Sequence, residues 1–373
     1  MQFSCNQDTF SKYLNIVSRI VNSKPGLPIL NNVLVSASKS KVKLIATDLE
    51  IGINTWIGAE VQGEGTVTIP AKHLAEYINS IPSEKVDVVL KNNVLSVSTV
   101  NNNADFHTMP SDDFPNVVTV DGESSLLEMK ATELVKAINR VAFAAASDDV
   151  KPVLTGIRIE IDKSTISFVA ADGLRLSKQT LKIKQGVDEP VNLLVPVKAM
   201  QELSHVVNEM SEDKDDMVSI FLIEDRNQIV FRFKDIDLVS RLIDGQYPEY
   251  RAIIPTGYKT KSVVSKSDMS NSLKVTNIIA RSVLGNKVIL DVKDNSITLS
   301  ASQNDVGSNT SVFSANIEGE DLKIAFSARF LNDMLNNIGG DTIVFEATEP
   351  VKPGVFKIEG DDDFIHLIMP MML

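Results

Sequence analysis

Asp361, Asp362 and Asp363 stand in a row, and three adjacent carboxylates could hold a divalent cation at a turn. Asp48 and Asp172 occupy matching places in ATDLEIG (46–52) and AADGLRL (170–176), as a carboxylate pair for acid–base chemistry would. Each lies in a separate segment of the chain, so a polar turn at a strand end accounts for both. The four histidines, His73, His107, His205 and His366, have no metal-ligand spacing. HExxH, a phosphate loop, GxGxxG and GxSxG are all missing, and Cys5 has no partner arrangement for nucleophilic catalysis. The expectation is a protein without catalytic residues, cofactor or metal, with Asp361–Asp363 a solvated loop. An enzyme with a metal site at that loop is a competing class, which a metal titration would separate.

The elements that must carry any site are repeated three times. VTIPAKHLAEYINSI (67–81), LLVPVKAMQELSHVV (193–207) and IAFSARFLNDMLNNI (324–338) each run from a strand through a small turn and a basic residue into an amphipathic helix. Upstream, KLIATDLEIG (43–52), ISFVAADGLRL (166–176) and ITLSASQNDVG (297–307) correspond. Before these lie DTFSKYLNIVSRIVN (8–22), ATELVKAINRVAFAA (131–145) and SDMSNSLKVTNIIARSV (267–283). FHTMPSDDFPN (106–116), LVSRLIDGQYPEY (238–250) and FIHLIMPMML (364–373) close the units. Alternating strands such as KVDVVLKNNVLSVSTV (85–100) carry Asn-Asn hairpin turns, and similar turns are expected at Asp225–Asn227 and Asp294-Asn295. Helices on one face of antiparallel sheets make an α+β class. Three domains follow, at 1–122, 123–254 and 255–373, with SEDKDD (211–216) a polar loop inside the second.

Composition agrees with a folded body: 43% of the 373 residues are hydrophobic and 23% charged. There is no apolar run long enough to span a membrane and no signal-peptide pattern at the start. One cysteine excludes an internal disulfide and suits a reducing, cytoplasmic setting. Net charge is −12, which at face value repels nucleic acid. Its distribution reverses that reading. Helices are expected at 8–22, 71–80, 131–146, 198–210, 268–284 and 328–337. They carry nine bases (Lys12, Arg19, Lys72, Lys136, Arg140, Lys198, Lys274, Arg281, Arg329) and seven acids, so they hold +2 and the rest of the chain −14. Asp8, Glu133 and Asp268 sit at helix starts and complement the dipole. Mildly basic helix faces on an acidic body suit a surface that tolerates a polyanion without gripping it.

Taken together, LPILNN (27–32), ATDLEIG, TIPAKHL (68–74), MPSDDFPN (109–116), KPVLTGI (151–157), AADGLRL, DGQYPEY (244–250) with IIP (253–255), and MPMML (369–373) resemble the bacterial DNA polymerase III β subunit, the sliding clamp, across essentially the whole chain. The resemblance implies a head-to-tail homodimer whose six domains close a ring. Its helices would line a hole threaded by duplex DNA without sequence preference. It implies that Lys24 joins the nine helix bases on the DNA side. It also implies a peptide pocket between domains two and three for the replicative polymerase and other partners, and a clamp loader. Carried over by position, the pocket would use Leu154, Ala171, Gly173, Leu174, Arg175, Leu176, Pro248, Ile253, Leu284, Phe330, Val351, Met369, Pro370, Met371 and Leu373. The ring seam would lie near Ala104, Phe106, Ile278 and Ile279. Family members often have Thr and His where this chain has Ala171 and Leu174, and a basic residue where it has Met372, which implies a more apolar pocket. The apolar stretch at 364–373 is then a docked strand running into one wall of a groove. A repeat-built scaffold that binds proteins but not DNA is the alternative class.

Overall fold

The computed structural model describes residues 1–21, 27–148, 150–184 and 186–373. The first repeat runs β1 (Gln2–Asn6), α1 (Gln7–Ile20), β2 (Asn32–Ser38), β3 (Lys41–Thr47), β4 (Ile51–Gly58), β5 (Glu60–Gly63), β6 (Gly65–Pro70), α2 (Ala71–Ser80), β7 (Lys85–Lys91), β8 (Val94–Ser98) and β9 (Asn103–His107). The second runs β10 (Leu127–Lys130), α3 (Ala131–Ala142), β11 (Gly156–Ile161), β12 (Thr165–Ala171), β13 (Arg175–Lys182), β14 (Val191–Pro196), α4 (Val197–Met210), β15 (Met217–Ile223), β16 (Gln228–Phe233) and β17 (Ile236–Arg241). The third runs β18 (Thr260–Ser265), α5 (Lys266–Ala280), β19 (Lys287–Lys293), β20 (Ser296–Gln303), β21 (Gly307–Gly319), β22 (Leu322–Ser327), α6 (Ala328–Asn337), β23 (Thr342–Ala347), β24 (Gly354–Ile358) and β25 (Asp361–Ile368). The α+β reading and the threefold order hold, with two helices per repeat against antiparallel strands.

The hairpin turns follow their residue types. Asn92 and Asn93, and again Asp294 and Asn295, all take positive φ, the geometry of a two-residue turn that matches strand twist. Helix starts are set by caps: Asn6 accepts from the Thr9 N–H and Ser265 from the Asp268 N–H. Two ends differ from the periodicity. α3 stops at Ala142 rather than 146, because Ala144 N–H turns back to Val141 O in a tighter turn that redirects Phe143. α5 spans 266–280, ending before the expected 284.

The chain forms two compact units, Met1–Ala131 with His205–Leu242, and Thr132–Ser204 with Ile243–Leu373. In the first unit the strands make a five-stranded sheet, β5-β1-β7-β8-β9, and an eight-stranded sheet, β10-β15-β16-β17-β4-β3-β2-β6. In the second, twelve strands run β14-β11-β12-β13-β25-β24-β23-β18-β21-β20-β19-β22. Two repeats therefore join by the same device twice. β17 of the second repeat adds to β4 of the first, Ile236 facing Thr55 through Ser240 facing Ile51. β25 of the third repeat adds to β13 of the second, Phe364 facing Gln179 through Ile368 facing Arg175. The stretch expected as a docked strand is thus paired on both sides, by β13 and β24. Buried apolar faces of the helices hold the layers: Phe10, Leu14 and Val17 from α1, Phe330, Leu331 and Met334 from α6.

Candidate functional site

In the second unit, four segments converge beside β25. Asp172 shapes the first: its Oδ1 accepts from the Leu174 and Arg175 N–H groups at 2.9 and 3.0 Å, and Gly173 takes φ +92°. Leu174 is left exposed, and its carbonyl accepts from Met369 N–H at 2.8 Å. Residues 369–371 thereby leave β25 along the turn. Met371 N–H then donates to Ala325 O at 2.8 Å, adding a single bridge to the β22 edge. The second segment is Leu284-Gly285-Asn286, where Leu284 is 95% exposed. A Cβ on Gly285, at φ +71°, would lie 2.5 Å from Met371 Cε, so the absence of a side chain lets Met371 lie across it. From α6, Phe330 packs its ring against the Arg175 guanidinium at 4.5 Å.

The floor is apolar. Leu154, Ala171 and Leu176 are buried in one cluster with Tyr247 and Tyr250. Leu174, Ile253, Leu284, Val351, Met369 and Leu373 are exposed. Pro248 is exposed beside Tyr247, while Pro370 and Met371 are half-buried. Exposed apolar side chains beside a buried apolar cluster can take apolar side chains from water. A polar network tethers the Pro248–Ile253 side: Glu160 Oε2 accepts from Tyr250 Oη at 2.9 Å and Arg251 Nη2 at 2.6 Å, and Arg158 Nε lies 2.7 Å from Glu160 Oε1. Burial raises the Tyr247 and Tyr250 hydroxyls well above their ordinary range, so both stay protonated.

The helix cations divide into two kinds. Lys72, Lys136, Lys198, Lys274, Arg281 and Arg329 are exposed, and Lys12 is half-buried. Arg19 is exposed but bridges to Glu209 of α4 at 2.6 Å. Arg140 corrects the expectation of a free cation on α3. It is 4% exposed, donates to Gln179 Oε1 at 2.6 Å and pairs with Asp361 Oδ2 at 2.7 Å. A cation so enclosed has no face to offer a phosphate. The same pair corrects the Asp361–Asp363 loop: these residues open β25, and Asp361 serves Arg140. Among the described residues no cluster of three His, Cys, Asp or Glu side chains could hold a metal ion. Between α1 and α2, Asn15, Asn79 and Ser11 share uncharged hydrogen bonds. Lys24 lies outside the described residues.

Two of the open strand edges lie by the predicted seam residues. β9 pairs with β8 alone, and residues 307–314 of β21 pair with β20 alone, among the described residues. On β9, Ala104 and Phe106 are half-buried, Phe106 meeting Tyr77 edge-on at 5.6 Å. On α5, over β21, Ile278 is exposed and Ile279 packs partly into the core.

Three family models match in chain order: the N-terminal domain of the DNA polymerase III beta subunit at 1–118, its central domain at 128–249 and its C-terminal domain at 251–372. The chain belongs to that family. It is 29% identical over 381 residues to the beta sliding clamp of Synechococcus elongatus, covering 100% of each chain. It is 27% identical over 382 residues to that of Staphylococcus aureus Mu50, covering 100% of this chain and 99% of the relative. The crystal structure of the DNA polymerase III beta subunit of Thermotoga maritima matches with a TM-score of 0.92 at 26% identity, over 100% of this chain and 99% of that one. The family is a DNA sliding clamp, a non-catalytic processivity factor of replication.

Seen as a clamp, the chain has features that residue type alone did not reveal. Glu160 holds Arg251 and Tyr250, Asp333 holds Arg175, and Gly285 leaves room for Met371. Gly285 carried a faint signal, a Gly-Asn pair after an amphipathic helix. Glu160 and Asp333 carried none, because their partners are distant in sequence.

Proposed function

We propose that two copies of this clamp close head to tail into a ring around duplex DNA, without sequence preference. The domains would run 1–122, 123–254 and 255–373. The observation that carries this reading is the repeated junction. β17 covers the β4 edge and β25 covers the β13 edge, and the next strand pair in that series is β9 with the first half of β21. Each has one side without a strand partner among the described residues, which supports joining to the other in a second copy; such a head-to-tail contact closes where the rotation fits, and the family resemblance implies closure after two. Phe106 and Ile278, with Ala104 and Ile279 beside them, supply apolar surface at that seam. The exposed cations on the six helices would face the DNA, with Lys24 among them by family resemblance. Arg140 is withdrawn from that set. The groove beside β25 would take short peptides of the replicative polymerase and other partners, and a clamp loader would open the ring. The clamp would act in the cytoplasm, with the DNA it encircles.

Light scattering at micromolar concentration is expected to give roughly twice 40.8 kDa. Clamp loaded on nicked circular DNA is expected to stay bound until the circle is cut. A monomer, or an open-ended polymer, would overturn the ring. Release from the intact circle as fast as from the cut one would favour a protein-binding scaffold instead.

A further inference from the structure

Arg175 reaches three walls of the groove. Its Nε donates to Asp172 Oδ2 at 3.0 Å and its Nη1 to Asp333 Oδ2 at 2.6 Å. The guanidinium lies 4.5 Å from the Phe330 ring centre and 5.7 Å from that of Phe143. Its backbone faces Ile368 in the β13–β25 ladder, one residue before Met369 meets Leu174. Leu174, Phe330 and Met369 sit on three separate segments, and each is one step from the same guanidinium. The first repeat supplies an internal control. There Asp48 Oδ1 accepts from Glu50 and Ile51 N–H groups at 3.0 and 2.8 Å, building the same turn. Ile51 stands in the place of Arg175, so the turn needs no arginine. The arginine and its second carboxylate are additions at the junction that carries the groove. The Arg175 side chain is largely buried while Asp333 keeps 33% of its side-chain surface exposed, and such a pair gains little net stability. What a planar, five-donor guanidinium between two carboxylates and two rings does supply is a fixed separation and orientation.

We propose that Asp333 is a positioning residue for peptide docking: through Arg175 it sets the gap between the Leu174 turn and Phe330, so the groove stands at ligand width before a peptide arrives. This rests on the groove being the peptide site. Arg175 is spent on the two carboxylates, so the peptide it suits is one held by apolar anchors rather than by a salt bridge. Loosened walls release such a peptide faster.

The test uses the intact dimer and a fluorescein-labelled hexapeptide carrying two leucines and a phenylalanine, followed by anisotropy and stopped flow. Asp333→Ala and the near-isosteric Asp333→Asn are each expected to raise Kd about tenfold, mostly through koff, with mass and circular dichroism unchanged. Asp333→Glu is expected to recover most of the loss. Arg175→Lys keeps the charge but not the fork, and is expected to behave as Asp333→Ala. A merely structural role would lower Tm with koff unmoved, and that result for Asp333→Asn overturns the inference. Leu174→Ala and Phe330→Ala report on the groove itself. If they weaken binding and the Asp333 variants do not, only the positioning role falls. If they bind as well as the parent, the peptide docks elsewhere and the groove reading falls with it.

Discussion

His366 should make this clamp sensitive to mild acid. The ring is fully buried, with Nδ1 2.6 Å from Ser177 Oγ across the β13–β25 ladder. Phe143 and Phe356 lie against it at 5.2 and 6.5 Å, and Nε2 has no partner among the described residues. Burial first, and the nearby Arg175 charge second, push its pKa down from 6.5 to about 3. The folded chain therefore keeps His366 neutral while the unfolded chain can protonate it. Stability from this group is complete above about 6.5 and is lost as pH falls toward about 3. Between pH 7 and pH 5 the loss works out at about 2 kcal/mol from the linkage relation. The comparison is with His366→Phe combined with Ser177→Ala, which removes both polar partners and strands neither. Urea unfolding of both proteins at the two pH values cancels the carboxylates common to both. The gap in stability between parent and variant should shift by about 2 kcal/mol in the variant's favour at the lower pH. Equal pH slopes would refute the argument, and would mean that water or a rearrangement lets His366 take a proton in the folded state.

Other perturbations test the groove and the helices. Gly285→Ala puts a methyl 2.5 Å from Met371 Cε at φ +71°, so it should displace Met371 and weaken the labelled hexapeptide at least tenfold, read by anisotropy, with the dimer intact. Removing residues 369–373 should cost roughly a hundredfold or more in the same assay, because several anchors are lost together. Reversing Lys72, Lys136 and Lys274 to Glu should impair loading on circular DNA and flatten its salt dependence, while melting is nearly unchanged because exposed charges contribute little to stability. Arg140→Ala should do the opposite, lowering stability by about 3 kcal/mol or more in a denaturant titration, because Asp361 is left enclosed without its cation.

The contrast between Lys136 and Arg140 marks where the sequence was legible and where it was not. Both lie on one helix, four residues apart, and helical spacing treats them alike. Their fates differ because Asp361 arrives from 221 residues away, which no local pattern encodes. Helices and hairpins were legible for the reverse reason. Phe10, Leu14 and Val17, or Asn92 and Asn93, act within a few residues of themselves. α3 was read too long because Phe143–Ala146 continue an apolar, helix-favouring run. What stops the helix is a turn that puts Phe143 on Arg175 and His366, both parts of other strands. Gly285 and Asp333 follow the same rule, since their meaning lies in Met371 and Arg175.

The shared strands have a consequence for synthesis. β4 is complete at residue 58, yet its outer edge is covered by β17, which begins at residue 236. At ribosomal speeds of about 5–20 residues per second, that edge waits on the order of ten to forty seconds. β13 then waits for β25 across a gap of nearly the same length, because the repeat period fixes both. Each waiting edge is an open template for another nascent chain. A newly made clamp should therefore be most prone to aggregate in these two intervals, and most dependent on chaperones there. Met369 follows directly on β25, so the proposed peptide groove would be completed only once the second edge is sealed, and a half-made chain would not yet present it.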